Sequence, residues 1–320
     1  MRRHGLILAD AASPSGHKPA RTALCAYWGW RIDTAGSPTY LYGRTTSTTW
    51  TPCEASSDEI LARYPEPLMA LARGELPAFV LRQHYDPDHC KGLMQRFYER
   101  GLLYDPHETG TGASRVDIGT SFGRLRSDRE AFHAHSAETL ELFETLFDGY
   151  DDPVRSMYDA LQRLAPGKEV KTAREPDGRL YGPAIFRVYH REIGHGPHYD
   201  SVAKRSKSFE YQVSRFTHQF AGILCFQNQS VTGEGGRGEP YLYNCPYRPG
   251  LEEHLGAKFP AYVERNNIER VQVQLEPGDL YFFFTENVHE VPSIIGDQPR
   301  AVLAIFFAMS PDDDEIYVWA

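Results

Sequence analysis

The sequence predicts a mainly β fold with flanking helices: a double-stranded β-helix, or jelly roll, of cupin-like type, buttressed by helices nearer the N-terminus. Three observations carry this expectation. Helical periodicity is confined to the first half of the chain. From Leu180 onward, short apolar or alternating runs follow one another between turn clusters. No internal repeat or low-complexity tract interrupts them. At 320 residues the chain can bury a sizeable core.

Residues 1–76 are rich in Thr, Ser, Tyr and Trp and read as an N-terminal extension packed on the core, with a candidate helix over 57–73. Residues 77–320 read as one main domain. Its opening run, 77–81, has strand character. Next, Asp86 stands as an N-cap before Pro87 at the first helical position, and Cys90, Leu93, Met94, Phe97 and Tyr98 recur at helical spacing. A further helix is expected over 140–147, broken at Gly149. Pro153 opens another, carrying Val154, Met157, Tyr158, Leu161 and Leu164 on one stripe until Pro166-Gly167 stops it.

Strands are expected at 184–189 and 222–226. Polar and apolar residues alternate over 271–275, the turn Glu276-Pro277-Gly278-Asp279 intervenes, and the aromatic run 280–284 follows. Residues 300–307 form a continuous apolar run opened by Arg300. An unpaired charge entering a buried strand is very costly, so an anionic group is expected against this arginine.

Chemistry is suggested by His198-Tyr199-Asp200 together with the distant His289, which precedes Arg300 by eleven residues. Two imidazoles and one carboxylate suit a divalent iron held on one face, with its other positions open, whereas a structural zinc site would recruit thiolates and close. His198 and Asp200 are two apart and would share a face on a regular strand, although a short turn would serve equally well. The tripeptide by itself says little, because His84-Tyr85-Asp86 repeats it; there, Asp86-Pro87 reads as a helix start.

The segments 184–200 and 275–307 together resemble the iron(II)/2-oxoglutarate-dependent dioxygenases, in the style of the prolyl-hydroxylase-like branch. The likeness rests on His-x-Asp, the Pro-Gly-Asp turn, a distal His followed by Glu-Val, and an Arg about ten residues on. The glycine-rich stretch 233–239 is similar to a turn between the two halves of that family. By this resemblance 77–320 is the catalytic domain, and His198, Asp200 and His289 bind Fe(II). Arg300 clamps the distal carboxylate of the cosubstrate 2-oxoglutarate, with Tyr189 hydrogen-bonding to it, and O2 is the oxidant. Val302 stands where some branches place a serine. Halogenases of the family replace the carboxylate ligand by a small residue, and Asp200 argues against that activity. The implied reaction is hydroxylation of an unactivated C–H of a small molecule, an amino acid or specialised metabolite, with release of succinate and CO2. A protein side-chain hydroxylase and a non-catalytic cupin-like metal-binding protein are the alternatives.

Residues 114–119, the connection 201–219 and the turn near Gly235 are candidate pocket-mouth segments; the connection carries a local surplus of Lys and Arg. His133, His135, His190 and His195 read as bystanders, with His195 the substitute if the first ligand is misplaced. A net charge of −9 disfavours a nucleic-acid partner. Five cysteines without paired spacing make a disulfide framework improbable. No run has the apolar length of a membrane span, and a cytoplasmic enzyme is the default expectation.

Overall fold

The computed structural model describes residues 31–32, 38–39, 50–109, 115–204, 210–228, 238–296 and 298–320. The first elements are β1 (Arg31–Ile32), β2 (Pro38–Thr39), β3 (Cys53–Glu54), α1 (Ser57–Arg63), α2 (Pro67–Ala72), β4 (Ala78–Leu81) and α3 (Pro87–Glu99). Then come α4 (Pro106–Thr109), β5 (Arg115–Ile118), α5 (Phe122–Leu125), α6 (Arg129–Leu146), α7 (Pro153–Leu164) and β6 (Glu169–Thr172). The remainder is β7 (Ile185–Tyr189), β8 (His195–His198), β9 (His218–Gln227), β10 (Tyr241–Pro246), α8 (Phe259–Arg265), β11 (Arg270–Gln272), β12 (Leu280–Phe284), β13 (Asn287–Val291), β14 (Arg300–Met309) and β15 (Glu315–Trp319).

Two sheets form the jelly-roll core. The small one runs β11-β10-β13-β8, and the large one β3-β4-β12-β9-β14-β15-β6, with β7 and β5 joined to it through β14. The ten-residue β14 organises the large sheet. It pairs with β9 along one side, while on the other side residues 300–304 meet β7 and residues 306–308 meet β15. Side chains alternate across this strand. Leu303, Ile305 and Phe307 join the main apolar cluster shared with the helices, whereas Arg300, Val302, Ala304 and Phe306 line the cavity on the opposite face.

Helix α3 begins as the sequence implies: Asp86 accepts a hydrogen bond from the Asp88 N–H, and Pro87 occupies the first turn. Its stripe of Cys90, Leu93, Met94 and Phe97 is buried, although Tyr98 turns outward. Phe97 packs edge-on against Phe186 of β7 at 4.6 Å, each such buried aromatic contributing roughly 1.5–3 kcal/mol. Helix α7 spans the run opened by Pro153, with Asp152 accepting from the N–H groups of Val154 and Arg155.

Two helices differ from expectation. The single helix over 57–73 is two, because Tyr64 precedes Pro65 and lies in extended backbone (φ −126°, ψ 98°), as a residue before proline tends to; Pro67 then opens α2. The helix expected over 140–147 is the end of α6, which starts at Arg129 behind an Asp128 cap. Its first turns bury His133, Ser136 and Thr139 beside Phe132, so no apolar stripe announces them. The Ser136 and Thr139 hydroxyls donate to the carbonyls of Phe132 and His135 one turn back.

Ile60, Leu68 and Leu71 from the 57–73 stretch lie in the same apolar cluster as Leu280 and Phe282, and β3 runs parallel to β4. Cys53, Cys90, Cys225 and Cys245 are buried free thiols. Among the described residues no helix is long and apolar enough to cross a membrane. The glycine-rich stretch through Arg237, as well as Arg205, Lys207 and Phe209 of the 201–219 connection, lie outside the described residues.

The duplicate tripeptide is structural. Tyr85 N–H donates to the Gly278 carbonyl at 3.0 Å, and Asp279 accepts from Gln83 N–H and from the Arg82 guanidinium, so the 84–86 segment is tied to the Pro277-Gly278 turn. Gly278 has φ +93°, and a Cβ there would come within 2.2 Å of the Tyr85 carbonyl oxygen. Gly278→Ala should therefore lower unfolding stability by about 2–4 kcal/mol, read from urea denaturation followed by tryptophan fluorescence.

Candidate metal centre and active site

A cavity of about 50 Å³ lies between the two sheets, and residues from both line it. On the small sheet, His198 at the end of β8 is the direct cross-strand partner of His289 on β13, so both imidazoles leave the same face. Their ring centroids are 4.2 Å apart. Asp200 lies beyond the strand, and a turn aims it: its N–H donates to the Thr285 carbonyl at 2.9 Å, while the Thr285 hydroxyl shares its proton between the Asp200 and Gln219 carbonyls, each at 3.0 Å.

Asp200 Oδ2 comes to 3.7 Å from His198 Nε2 and 3.8 Å from His289 Nε2. One ligand atom from each of the three residues lies within 4.8 Å of the others, close enough to share one ion. The backbone sets the imidazole tautomers. His198 Nδ1 is 2.7 Å from the Gly196 carbonyl, and His289 Nδ1 is 2.9 Å from that of Asn287. A carbonyl only accepts, so Nδ1 carries the proton on each ring and Nε2 presents its lone pair toward Asp200. The donor chemistry thus fits a hard-to-intermediate divalent ion such as iron(II). His195 is outside this donor group; its ring stacks on that of His198 at 3.7 Å.

The cationic side of the cavity comes from the large sheet. Arg300, 3% exposed, is the cross-strand partner of Tyr189, and its guanidinium carbon lies 5.7 Å from the Tyr189 ring centre. Arg115 reaches the same ring at 5.7 Å and grips Asp117 through two hydrogen bonds of 2.6 and 2.8 Å. Burial alone would push the Tyr189 hydroxyl up, but Arg115, Arg187 and Arg300 together outweigh it and hold the group below its ordinary range. Gly238, at φ +70°, packs against Arg300: a Cβ there would lie 3.0 Å from Arg300 Cδ and 2.9 Å from Ile294 Cγ1.

The structure therefore brings His198, Asp200 and His289 together, and Tyr189 and Arg300 with one another in the same cavity. Three contributors were not singled out from the sequence. Thr285 carries no side-chain signal for orienting a neighbour. Arg115 sits in the 114–119 stretch expected at the pocket mouth, yet its contact with Tyr189 depends on β5 pairing with β7. Arg187 had a signal, a charge in the middle of an apolar strand, and the reasoning applied to Arg300 extends to it.

The family model described as carrier-protein-independent halogenase WelO5 matches residues 54–320. No curated protein matches the chain. Among solved structures, the chain is similar to an N-substituted L-amino acid dioxygenase from Burkholderia ambifaria AMMD, at 16% identity over 79% of this chain and 90% of that one, with a TM-score of 0.48. It is also similar to the non-heme alpha-ketoglutarate-dependent epimerase SnoN from nogalamycin biosynthesis, at 13% identity over 79% and 85%, with a TM-score of 0.41. HygX from Streptomyces hygroscopicus, solved with nickel, 2-oxoglutarate and hygromycin B, matches at 10% identity over 74% and 85%, with a TM-score of 0.40.

Thr285→Val removes the hydroxyl that holds the Asp200 turn and should weaken binding of divalent cobalt, a spectroscopic stand-in for iron(II), by about 10–100-fold. His289→Ala should abolish it. Titration followed by the visible cobalt bands reads both outcomes.

Proposed function

Because the chain belongs to the family of the carrier-protein-independent halogenase WelO5, and so to the iron(II)/2-oxoglutarate-dependent oxygenases, we propose that it hydroxylates an unactivated C–H bond of a free small molecule, releasing succinate and CO2. Asp200 carries this reading. Its carboxylate stands at 3.7 and 3.8 Å from the two imidazole Nε2 atoms and completes a three-donor set. A halogenase of this superfamily needs a small residue at that position, so that a halide can take the carboxylate's place. Halogenation is the second reading, favoured by the description of the matching family model and opposed by Asp200.

In the proposed mechanism His198, Asp200 and His289 would hold iron(II). When bound, iron(II) with 2-oxoglutarate would supply an oxidant from O2, coupled to decarboxylation of the cosubstrate. The rest is the work of the chain. Arg300 presents a planar guanidinium that pairs bidentately with the distal carboxylate of 2-oxoglutarate, and Gly238 keeps the arginine stem in place. Tyr189, surrounded by guanidiniums, donates its hydroxyl proton to the same carboxylate. Tyr281, Phe283, Val302 and Phe306 line the cavity, exclude water and decide which C–H bond lies nearest the metal. The narrow recess between the sheets suits a small molecule rather than a protein segment, which would need an open groove.

Anaerobic protein given iron(II) and 2-oxoglutarate should develop the weak visible charge-transfer band of the chelate; absence of the band in iron-loaded wild type would sink the proposal. Arg300→Ala should raise the 2-oxoglutarate concentration needed for half the band by at least about 100-fold, and Gly238→Ala by about tenfold. With chloride present, turnover products should carry an added oxygen atom. A chlorinated product from wild type would instead establish halogenation, whereas Asp200→Gly should lose hydroxylation and become halide-dependent.

A further inference from the structure

We propose that Arg187 forms a second anion subsite in the cavity, distinct from that of Arg300, and that it recognises a carboxylate on the substrate. The inference rests on the oxygenase reading and names the class of substrate: a carboxylic acid with an apolar body.

The two arginines enter the cavity from neighbouring strands, Arg187 from β7 and Arg300 from β14. Along the inward face of β14 the row is Arg300, Val302, Ala304, Phe306. Arg300 is paired with Tyr189 at one end. Arg187 is paired with Val302, and its guanidinium carbon lies 5.4 Å from the ring centre of Phe306, toward the other end. Arg300 and Phe306 are six positions apart on β14, about 20 Å of backbone. Arg187 lines the same cavity as His198, Asp200 and His289. A cosubstrate anchored at Arg300 and reaching the metal leaves the Phe306 end to the substrate.

Among the described residues Arg187 also lacks a carboxylate partner of its own. Among the described residues it makes no hydrogen bond or ion pair, and its Nε is buried without an acceptor. The fold does place a carboxylate beside it, since Asp117 on β5 is its direct cross-strand neighbour. That carboxylate is engaged elsewhere: Arg115 takes both oxygens, and Arg124 approaches at 3.3 Å. Burial, followed by repulsion from Arg115, presses the Arg187 guanidinium below its ordinary range. A half-buried cation without a counter-charge costs the folded chain stability, and such features persist where function needs them.

The chemistry of the surroundings selects the ligand. A planar guanidinium matches a carboxylate through two parallel hydrogen bonds. Ile223, Phe283, Val302 and Phe306 make the adjoining walls apolar, which suits an aliphatic or aromatic body. Arg187 therefore sets substrate orientation, with the charged end held near Phe306 and a carbon of the body turned toward the metal.

Matched probes test this. Phenylacetate with phenylacetamide, and hexanoate with hexanamide, are titrated calorimetrically into anaerobic protein already saturated with iron(II) and 2-oxoglutarate, which keeps Arg300 engaged. Wild type should bind at least one acid about tenfold more tightly than its amide. Arg187→Gln and Arg187→Met should reduce that preference to about threefold or less while 2-oxoglutarate affinity stays within about twofold, and Arg187→Lys should retain part of it. The thermal midpoint of Arg187→Met should equal or exceed that of wild type, since an apolar chain replaces an unpaired cation. A lower midpoint would make Arg187 a structural tie to Asp117 and overturn the proposal. So would equal binding of acid and amide by wild type, or a preference that survives Arg187→Gln. Loss of 2-oxoglutarate affinity in Arg187→Gln would assign the residue to the cosubstrate instead. Should wild type lack the charge-transfer band, the oxygenase reading fails separately, and the acid–amide comparison on metal-free Arg300→Gln protein, with and without Arg187→Gln, still reads Arg187.

Discussion

A one-residue slip of β13 against β8 would turn His289 to the far face of the small sheet and leave His198 without its partner. Everything at the site depends on that register. It is held from both sides of β13: His289 sits opposite His198 on β8 and opposite Leu242 on β10. The next residue along, Glu290, points the other way, is buried, and accepts a hydrogen bond from the Tyr243 hydroxyl. Slipping the strand would therefore bury an imidazole where a satisfied carboxylate now lies. Phe283 packs edge-on against His289 at 5.0 Å and limits the rotation of its ring. The turn after β8 is held in the same way, through Thr285 on Asp200 and through the Ser201 hydroxyl donating to buried Glu286.

Charge in the cavity follows from which strands the large sheet brings together. Arg115, Arg187 and Arg300 converge on Tyr189, and two buried or partly buried carboxylates, Asp117 and Asp200, stand among them. Such a cluster is costly in an apolar interior unless anions complete it. A dicarboxylate cosubstrate at one end and an acidic substrate at the other would balance it, and the apolar walls between would orient the carbon to be oxidised. The helices serve this arrangement indirectly. By covering the opposite face of β7, β9 and β14 with Phe97, Leu161 and their neighbours, they make the large sheet a rigid wall, so that the inward row stays aligned.

Much of this was legible in the chain. The caps at Asp86 and Asp152, the prolines behind them and the apolar stripes of α3 and α7 report local physics, because capping and periodicity act within a few residues. The set of His198, Asp200, His289 and Arg300 stood out for a different reason: its members sit in short motifs with an unusual charge or imidazole among β-rich residues, whereas Tyr189 was named only through the family resemblance. Local signals failed where burial was polar. The first turns of α6 hide Ser136 and Thr139 against their own backbone, and nothing in a hydrophobic pattern reveals that. The 57–73 helix failed because periodicity runs through Tyr64-Pro65, where the backbone cannot.

By itself the sequence determined the strand-and-turn grammar of a jelly roll, the identity of the candidate metal donors and the dismissal of the duplicate at His84, whose N-cap and proline were readable at once. Only the tertiary structure decided that a turn held by Thr285, rather than the strand itself, aims Asp200; that both imidazoles present Nε2; and that Arg187, among the described residues, has no hydrogen-bonded or ionic partner beside an Asp117 already engaged. These three facts depend on contacts between residues far apart in the chain. Cross-strand register and competition for one buried carboxylate are settled only when the sheets close, and no local pattern records them.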